Sequence, residues 1–135
     1  IIVGFPTETT EDFEETLKVL EYVRYDSIFS FIYSRREGTP ASKLDFVLSD
    51  DEIHKNFDRM LQVQNQICLE KNLEYKDRIE EVFVEKEKKT DKNMLSGRTD
   101  GGKIVNFTGD KNLKGKYVKI KITNPKQWSL EGELI

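Results

Sequence analysis

Lys119 and Lys121 stand two residues apart in Tyr117-Val118-Lys119-Ile120-Lys121-Ile122, a run that alternates charged or aromatic side chains with β-branched ones. In an extended strand this alternation puts Tyr117, Lys119 and Lys121 on one face and Val118, Ile120 and Ile122 on the other. Ammonium groups beside an aromatic ring suit a polyanion with flat bases, because each base stacked on such a ring contributes about 1–3 kcal/mol. Residues 103–126 hold seven lysines, Lys103, Lys111, Lys114, Lys116, Lys119, Lys121 and Lys126, against one acid, Asp110. The same pattern also fits a solvated face whose lysines discourage strand addition. Phe107 and Trp128 supply two more aromatics, each equally suited to a core, and a core place is the expectation for Trp128. Arg98, in Gly97-Arg98-Thr99, precedes a tight turn, where a guanidinium meets a phosphate or caps carbonyls. Arg35 and Arg36 follow a second apolar run and can hold a ligand phosphate, a substrate carboxylate or a neighbouring acid such as Glu37.

Other chemistry finds little support. The one histidine, His54, sits beside Lys55 at the start of a helical pattern, and the one cysteine, Cys68, lies near an apolar stripe as a small buried hydrophobe. No Cys/His spacing suits zinc or an iron–sulfur cluster, so no metal site is expected from these residues alone. No Gly-rich phosphate loop, nucleophile elbow or carboxylate pair stands out, and no catalytic residue is assigned. A single cysteine excludes an intrachain disulfide, nothing at the N-terminus resembles a signal peptide, and no apolar run approaches the ~20 residues of a membrane span. A reducing cytosol is the expected compartment.

The elements that must position these residues read as two kinds. Ile1 to Phe5 is a continuous apolar run, the mark of a parallel strand buried on both faces, whose neighbours lie outside this sequence. Thr9-Thr10-Glu11-Asp12 starts a helix over roughly 10–24, with Phe13, Leu17 and Leu20 at helical spacing. Ile28 to Tyr33 is a second strand, so the order spells a βαβ unit, and the Arg35-Arg36 loop leaves the carboxyl end of its strand, where α/β proteins place active sites. Ser49-Asp50-Asp51-Glu52 is a capping box, and Ile53, Phe57, Met60, Leu61 and Ile67 stripe a helix that runs to about Tyr75. From Arg78 the period falls to two. Runs around Val82 and Val84, at Met94–Thr99, at Lys103–Phe107, around Ile120 and at Gln127–Leu134 predict five short antiparallel strands, with turns at Asp100-Gly101-Gly102 and Gly109-Asp110. Five strands in under 60 residues suit a small closed barrel of the OB type.

Charge divides the chain at the same place. Residues 1–77 carry 9 Lys/Arg against 16 Asp/Glu, and residues 78–135 carry 13 against 9, formal charges of −7 and +4. A basic β-domain on an acidic α/β segment reads as a polyanion-binding module carried by something else, with RNA the commonest cytosolic polyanion. The expected organisation is an α/β remnant at 1–47, a linking helix at 48–77 and the barrel at 78–135.

Specific segments carry a resemblance. Ile1-Ile2-Val3-Gly4-Phe5-Pro6-Thr7-Glu8-Thr9 with Glu11-Asp12-Phe13-Glu14-Glu15-Thr16, and Phe31-Ile32-Tyr33-Ser34-Arg35-Arg36-Glu37-Gly38-Thr39-Pro40-Ala41, resemble two segments of the radical S-adenosylmethionine methylthiotransferases. Gly97-Arg98-Thr99, Val105-Asn106-Phe107, Gly115-Lys116 and Trp128-Ser129-Leu130-Glu131-Gly132-Glu133 are similar to the RNA-binding TRAM domain that ends those enzymes. Thr7 stands where glycine is frequent, and Arg35 where proline is. The branch most resembled adds a methylthio group at C2 of a prenylated adenosine next to the anticodon of tRNA. Sister branches act on threonylcarbamoyladenosine or a ribosomal protein.

The resemblance implies that the α/β part is the last βαβ piece of a TIM-type radical barrel. It also implies a parent enzyme with two 4Fe-4S clusters and S-adenosylmethionine, held by N-terminal domains and a CxxxCxxC loop that this sequence lacks. Val3, Gly4 and Phe5 match the strand that lies against the cofactor's adenine, Gly4 allowing close backbone approach. Arg35 and Arg36 come to the barrel mouth where substrate enters. Arg98, Lys103, Phe107, Lys116, Tyr117, Lys119 and Lys121 would face the tRNA anticodon stem-loop. The piece itself is expected to bind no cofactor and to catalyse nothing. A freestanding RNA-binding module with an oligomerisation arm, and an adaptor whose lysines meet only water, are the rival readings.

Overall fold

A computed structural model describes residues 1–88 and 93–135. The chain divides into two compact units, Ile1–Cys68 and Leu69–Ile135.

In the first unit, strand β1 (Ile2–Val3) pairs in parallel with β2 (Phe31–Ile32), Ile2 opposite Phe31 and Val3 opposite Ile32. Helix α1 (Thr10–Val23) connects them. Its first turn is closed by a reciprocal box: the Asp12 amide donates to Thr9 Oγ1 at 3.2 Å, and the Thr9 amide donates to Asp12 Oδ2 at 2.9 Å. Arg24, left-handed at φ 53°, ends the helix and returns its amide to Leu20 O. Phe13, Leu17 and Leu20 are buried with Val3 against Met60 and Ile67 of α2 (Asp50–Leu73). Glu52 and Ser49 form the predicted box at the start of α2. At 24 residues, α2 is about 36 Å long and extends across the boundary between the units.

Two expectations for this unit change. Strand pairing covers only two residues on each side, not 28–33. The run at Ile1–Phe5 is also not buried on both faces: Val3 lies in the core, whereas Ile2 and Phe31 are exposed. The reason is that helices cover one side of the pair, and no further strand flanks it among the described residues.

The second unit is a closed barrel of β3 (Ile79–Glu87), β4 (Met94–Thr99), β5 (Ile104–Thr108), β6 (Tyr117–Pro125) and β7 (Leu130–Leu134), ordered β3-β4-β5-β7-β6. Val82, Val84, Leu95, Val105, Phe107, Ile120, Ile122 and Leu130 fill it. The strands are not all antiparallel, because β5 and β7 run parallel with Val105 opposite Leu130 and Phe107 opposite Gly132. Strand directions cannot alternate around a ring with an odd number of members, so closing five strands requires a parallel pair. The other four ladders are antiparallel.

Tight closure falls on two glycines. A Cβ on Gly97 would lie 2.3 Å from Phe83 O, and one on Gly132 would lie 2.4 Å from Lys121 O. The predicted turn after β4 is present, with the Gly102 amide donating to Thr99 O at 2.9 Å and Gly102 at φ 78°. The last strand starts later than expected, at Leu130, because the Lys126 amide donates to Ser129 O at 2.8 Å and closes a turn over 126–129.

Candidate nucleic-acid interface

The outer surface of the barrel is set by strand period. On β6, Ile120 and Ile122 point inward, so Tyr117, Lys119 and Lys121 share the outer face. On β3, Val82 and Val84 point inward and send Phe83 out. The ladders put Phe83 opposite Tyr117 on one side and opposite Arg98 of β4 on the other. The Phe83 and Tyr117 rings stand 5.1 Å apart and tilted by 49°, with Tyr117 69% and Phe83 38% exposed. Two exposed aromatics beside a guanidinium form a platform with the composition that stacks a base and meets its phosphate.

Arg98 is already engaged: Nε lies 3.2 Å from Glu85 Oε1, and NH1 donates to Gly102 O at 3.2 Å. It therefore performs the carbonyl-capping role, with its remaining donors turned to solvent at 50% side-chain exposure. Lys119 and Lys121 face Glu81 and Glu133 in register, yet neither makes an ion pair among the described residues. Lys116 is exposed in the segment that leads into β6.

Not every expected residue joins this face. Phe107 is 2% exposed and packs in the barrel core, because it shares the inward phase of β5 with Val105; it has no face to offer a base. Trp128 shows the reverse, 66% exposed, since it lies in the turn at 126–129 and not in a strand. Three of the seven lysines engage neighbouring side chains. Lys111 pairs with Glu87 at 3.5 Å, Lys126 pairs with Glu131, and Lys103 lies 5.8 Å from the Tyr75 ring centroid. Phe83 was the residue missed, although an aromatic on the charged phase of a period-2 strand was there to be read.

In the first unit the residues matched to the cofactor strand divide. Val3 turns its side chain into the helical core, so only its backbone is available at the sheet. Gly4, at φ 77°, allows close approach to Ile53, whose Cγ2 would lie 2.5 Å from an added Cβ. The Gly4 amide donates to Glu8 Oε1 at 3.0 Å. Phe5 alone presents side-chain surface, edge-on to Tyr33 at 5.3 Å, and Tyr33 meets Phe46 at 6.1 Å. Arg35 covers the Phe46 ring at 4.7 Å and donates to Ser42 O and, at 2.9 Å, to Leu44 O. It pins its own loop and forms no ion pair with Glu37 among the described residues. Arg36 lines a largely apolar concavity of about 430 Å³ with Ile2, Phe31, Ile32 and Tyr33.

The donor set does not fit a cluster. Cys68 is buried and donates to Asp26 O at 3.1 Å, and among the described residues no three His, Cys, Asp or Glu side chains gather to hold a metal ion. No described helix is long and apolar enough to cross a membrane.

Residues 74–135 match the TRAM domain. Beyond the TRAM barrel, the whole chain is similar to tRNA-2-methylthio-N(6)-dimethylallyladenosine synthases. Identity is 52% over 133 residues to that of Clostridium tetani strain Massachusetts / E88, covering 98% of this chain and 29% of the relative. It is 52% over 135 residues for Clostridium botulinum strain Okra / Type B1, and 46% over 135 residues for Thermoanaerobacter sp. strain X514. Both cover all of this chain, and 30% and 29% of the relative. The chain thus spans about 30% of the length of the curated relatives it matches.

Proposed function

We propose that this chain is the tRNA-binding portion of a longer methylthiotransferase, with the TRAM barrel at 78–135 holding the anticodon stem-loop. The longer enzyme would add a methylthio group at C2 of a prenylated adenosine next to the anticodon, in the cytoplasm. The observation that carries this reading is the outer strip of Phe83, Tyr117, Lys119 and Lys121 on β3 and β6, two aromatics continuous with two unpaired cations. The similarity to synthases named for a modified tRNA nucleoside supports the choice of tRNA.

The two lysines hold phosphates by charge, and the two rings stack on an unpaired base. Arg98, fixed by Glu85 and Gly102, offers its outward donors to an adjacent phosphate. In the parent enzyme S-adenosylmethionine and 4Fe-4S clusters would supply the radical and the sulfur chemistry. The clusters would be held by residues other than these. Arg36, beside the apolar concavity, and Phe5 are the first unit's candidates for touching substrate and cofactor. The 1–47 segment is then the last part of the catalytic domain, and the helix over 48–77 joins it to the barrel.

Binding of a labelled tRNA anticodon stem-loop, followed by anisotropy across a salt series, tests this. Affinity should fall linearly on logarithmic axes as salt rises. Replacing both Lys119 and Lys121 by Glu should weaken binding at least about 10-fold and flatten the salt slope by about 1.4, two contacts at ~0.7 each for single strands. Unchanged affinity in that variant would remove this face from the reading, and no binding at low salt would remove RNA. The adaptor reading draws on Glu81 and Glu133 lying opposite the lysines, and it expects that last outcome.

A further inference from the structure

We infer that Trp128 is a second nucleobase-stacking contact, on the β6–β7 turn at the far end of β6 from the Tyr117 platform. This rests on the RNA-binding reading and adds to it a site and the kind of nucleotide it takes: one whose base is unpaired. The largest side-chain type is here left 66% exposed, although the core of the same barrel is filled by aliphatic residues and Phe107. No ring contact or hydrogen bond partner engages the indole among the described residues.

The turn beneath it is nevertheless held from several sides. Asn72, itself buried, donates through Nδ2 to Lys126 O at 2.7 Å and to Gln127 O at 3.1 Å. The Lys126 amide closes the turn on Ser129 O at 2.8 Å. On the flanks, Lys126 Nζ and Asn124 Nδ2 both donate to the Glu131 carboxylate, the latter at 2.8 Å. Both carbonyls just before Trp128 are therefore fixed while its ring stays in water. Such a turn lowers the ordering cost of binding, because the aromatic is already presented.

Position adds the second argument. Strand β6 runs for nine residues, a rise of about 26 Å from Tyr117 to Pro125, and Trp128 lies three residues beyond its end. Lys119 and Lys121 lie on its outer face between the two aromatic ends. A single strand laid along β6 would meet rings at both ends and cations between, a span within the ~4–16 nucleotides that an OB-type barrel occupies. The indole also offers Nε1–H as a donor for a base edge or phosphate.

Trp128 is the chain's single tryptophan, so intrinsic emission reports this position alone. The full 135-residue chain is titrated with an unstructured RNA octamer and with the same octamer lacking its bases, while end-labelled RNA anisotropy reports binding independently. The octamer should quench the emission, and the abasic octamer should bind more weakly and leave emission unchanged. Trp128→Ala should lower octamer affinity about 10-fold with the same salt slope, and Trp128→Phe should restore most of it. The barrel should remain folded in both variants, since Trp128 lies outside the core, and circular dichroism checks that. RNA binding with unaltered Trp128 emission and a Trp128→Ala affinity within twofold of the parent overturns this inference and leaves the RNA-binding reading standing. Absence of any anisotropy change at low salt overturns both.

Discussion

At the scale of single residues, the two glycines at the barrel closure illustrate how little room a five-stranded ring leaves. An alanine at 97 would drive its Cβ to 2.3 Å from Phe83 O and 2.6 Å from Val82 Cγ1, and a backbone oxygen in a ladder cannot move aside cheaply. Gly102 has the opposite problem, with open space around it but φ at 78°. Gly97→Ala should therefore cost about 3 kcal/mol or more in urea unfolding, and Gly102→Ala only about 1 kcal/mol of backbone strain. Equal losses would mean that close approach at Gly97 is relieved by the strands shifting apart. The aromatic residues show what strand phase can and cannot reveal. Phe83 was legible as outward from Val82 and Val84. Phe107 was legible as inward from the strand phase it shares with Val105. Trp128 was not, because its exposure follows from where a turn closes, and composition does not say whether 126–129 pairs or turns.

Among elements, the clearest signals were local ones. The capping box at Ser49/Glu52 is read from four consecutive residues and occurs as read, and the helix start read at Thr9–Asp12 closes in the same reciprocal way. Helix α1 ends within a residue of its expected limit, since the apolar stripe and the left-handed Arg24 coincide. The parallel β5–β7 ladder is different: it follows from closure and an odd strand count, and no individual strand carries a mark of it. The β6–β7 hairpin makes a pH prediction at this scale. The hydrogen bond from Lys126, then that from Asn124, holds the Glu131 carboxyl below its ordinary range against the opposing effect of partial burial. A depressed carboxyl contributes stability that is complete above its unfolded value and is lost as pH falls through the folded one. Trp128 emission should thus stay constant from neutral pH down to the ordinary glutamate range and change only below it. Glu131→Gln should remove that transition, and a transition that persists in the variant would assign it to other carboxylates.

For the whole molecule, the charge split near residue 77 was visible in the sequence, whereas the compact boundary at Cys68/Leu69 was not, because α2 runs through it without a break in helical pattern. The second unit encloses an eight-residue core in a closed barrel. A polypeptide of residues 69–135 should accordingly fold alone and keep salt-dependent RNA binding. A polypeptide of residues 78–135, the boundary that strand period suggests, should be weaker. It lacks Asn72, which ties down the turn at Lys126 and Gln127, and Tyr75, which packs on the core and lies under Arg78 at 5.2 Å and Lys103 at 5.8 Å. It also loses the Asp77 amide that donates to Ile122 O at 2.8 Å. Two to three hydrogen bonds at ~1 kcal/mol each and partial burial of one aromatic total roughly 3 kcal/mol. A unit of this size holds only ~3–10 kcal/mol in all, so that loss is a large fraction of it. Thermal unfolding of the two pieces should show a midpoint lower by about 10 °C or more in the shorter one. Equal midpoints would mean that the last turns of α2 are dispensable to the barrel and that its boundary lies where the period changes.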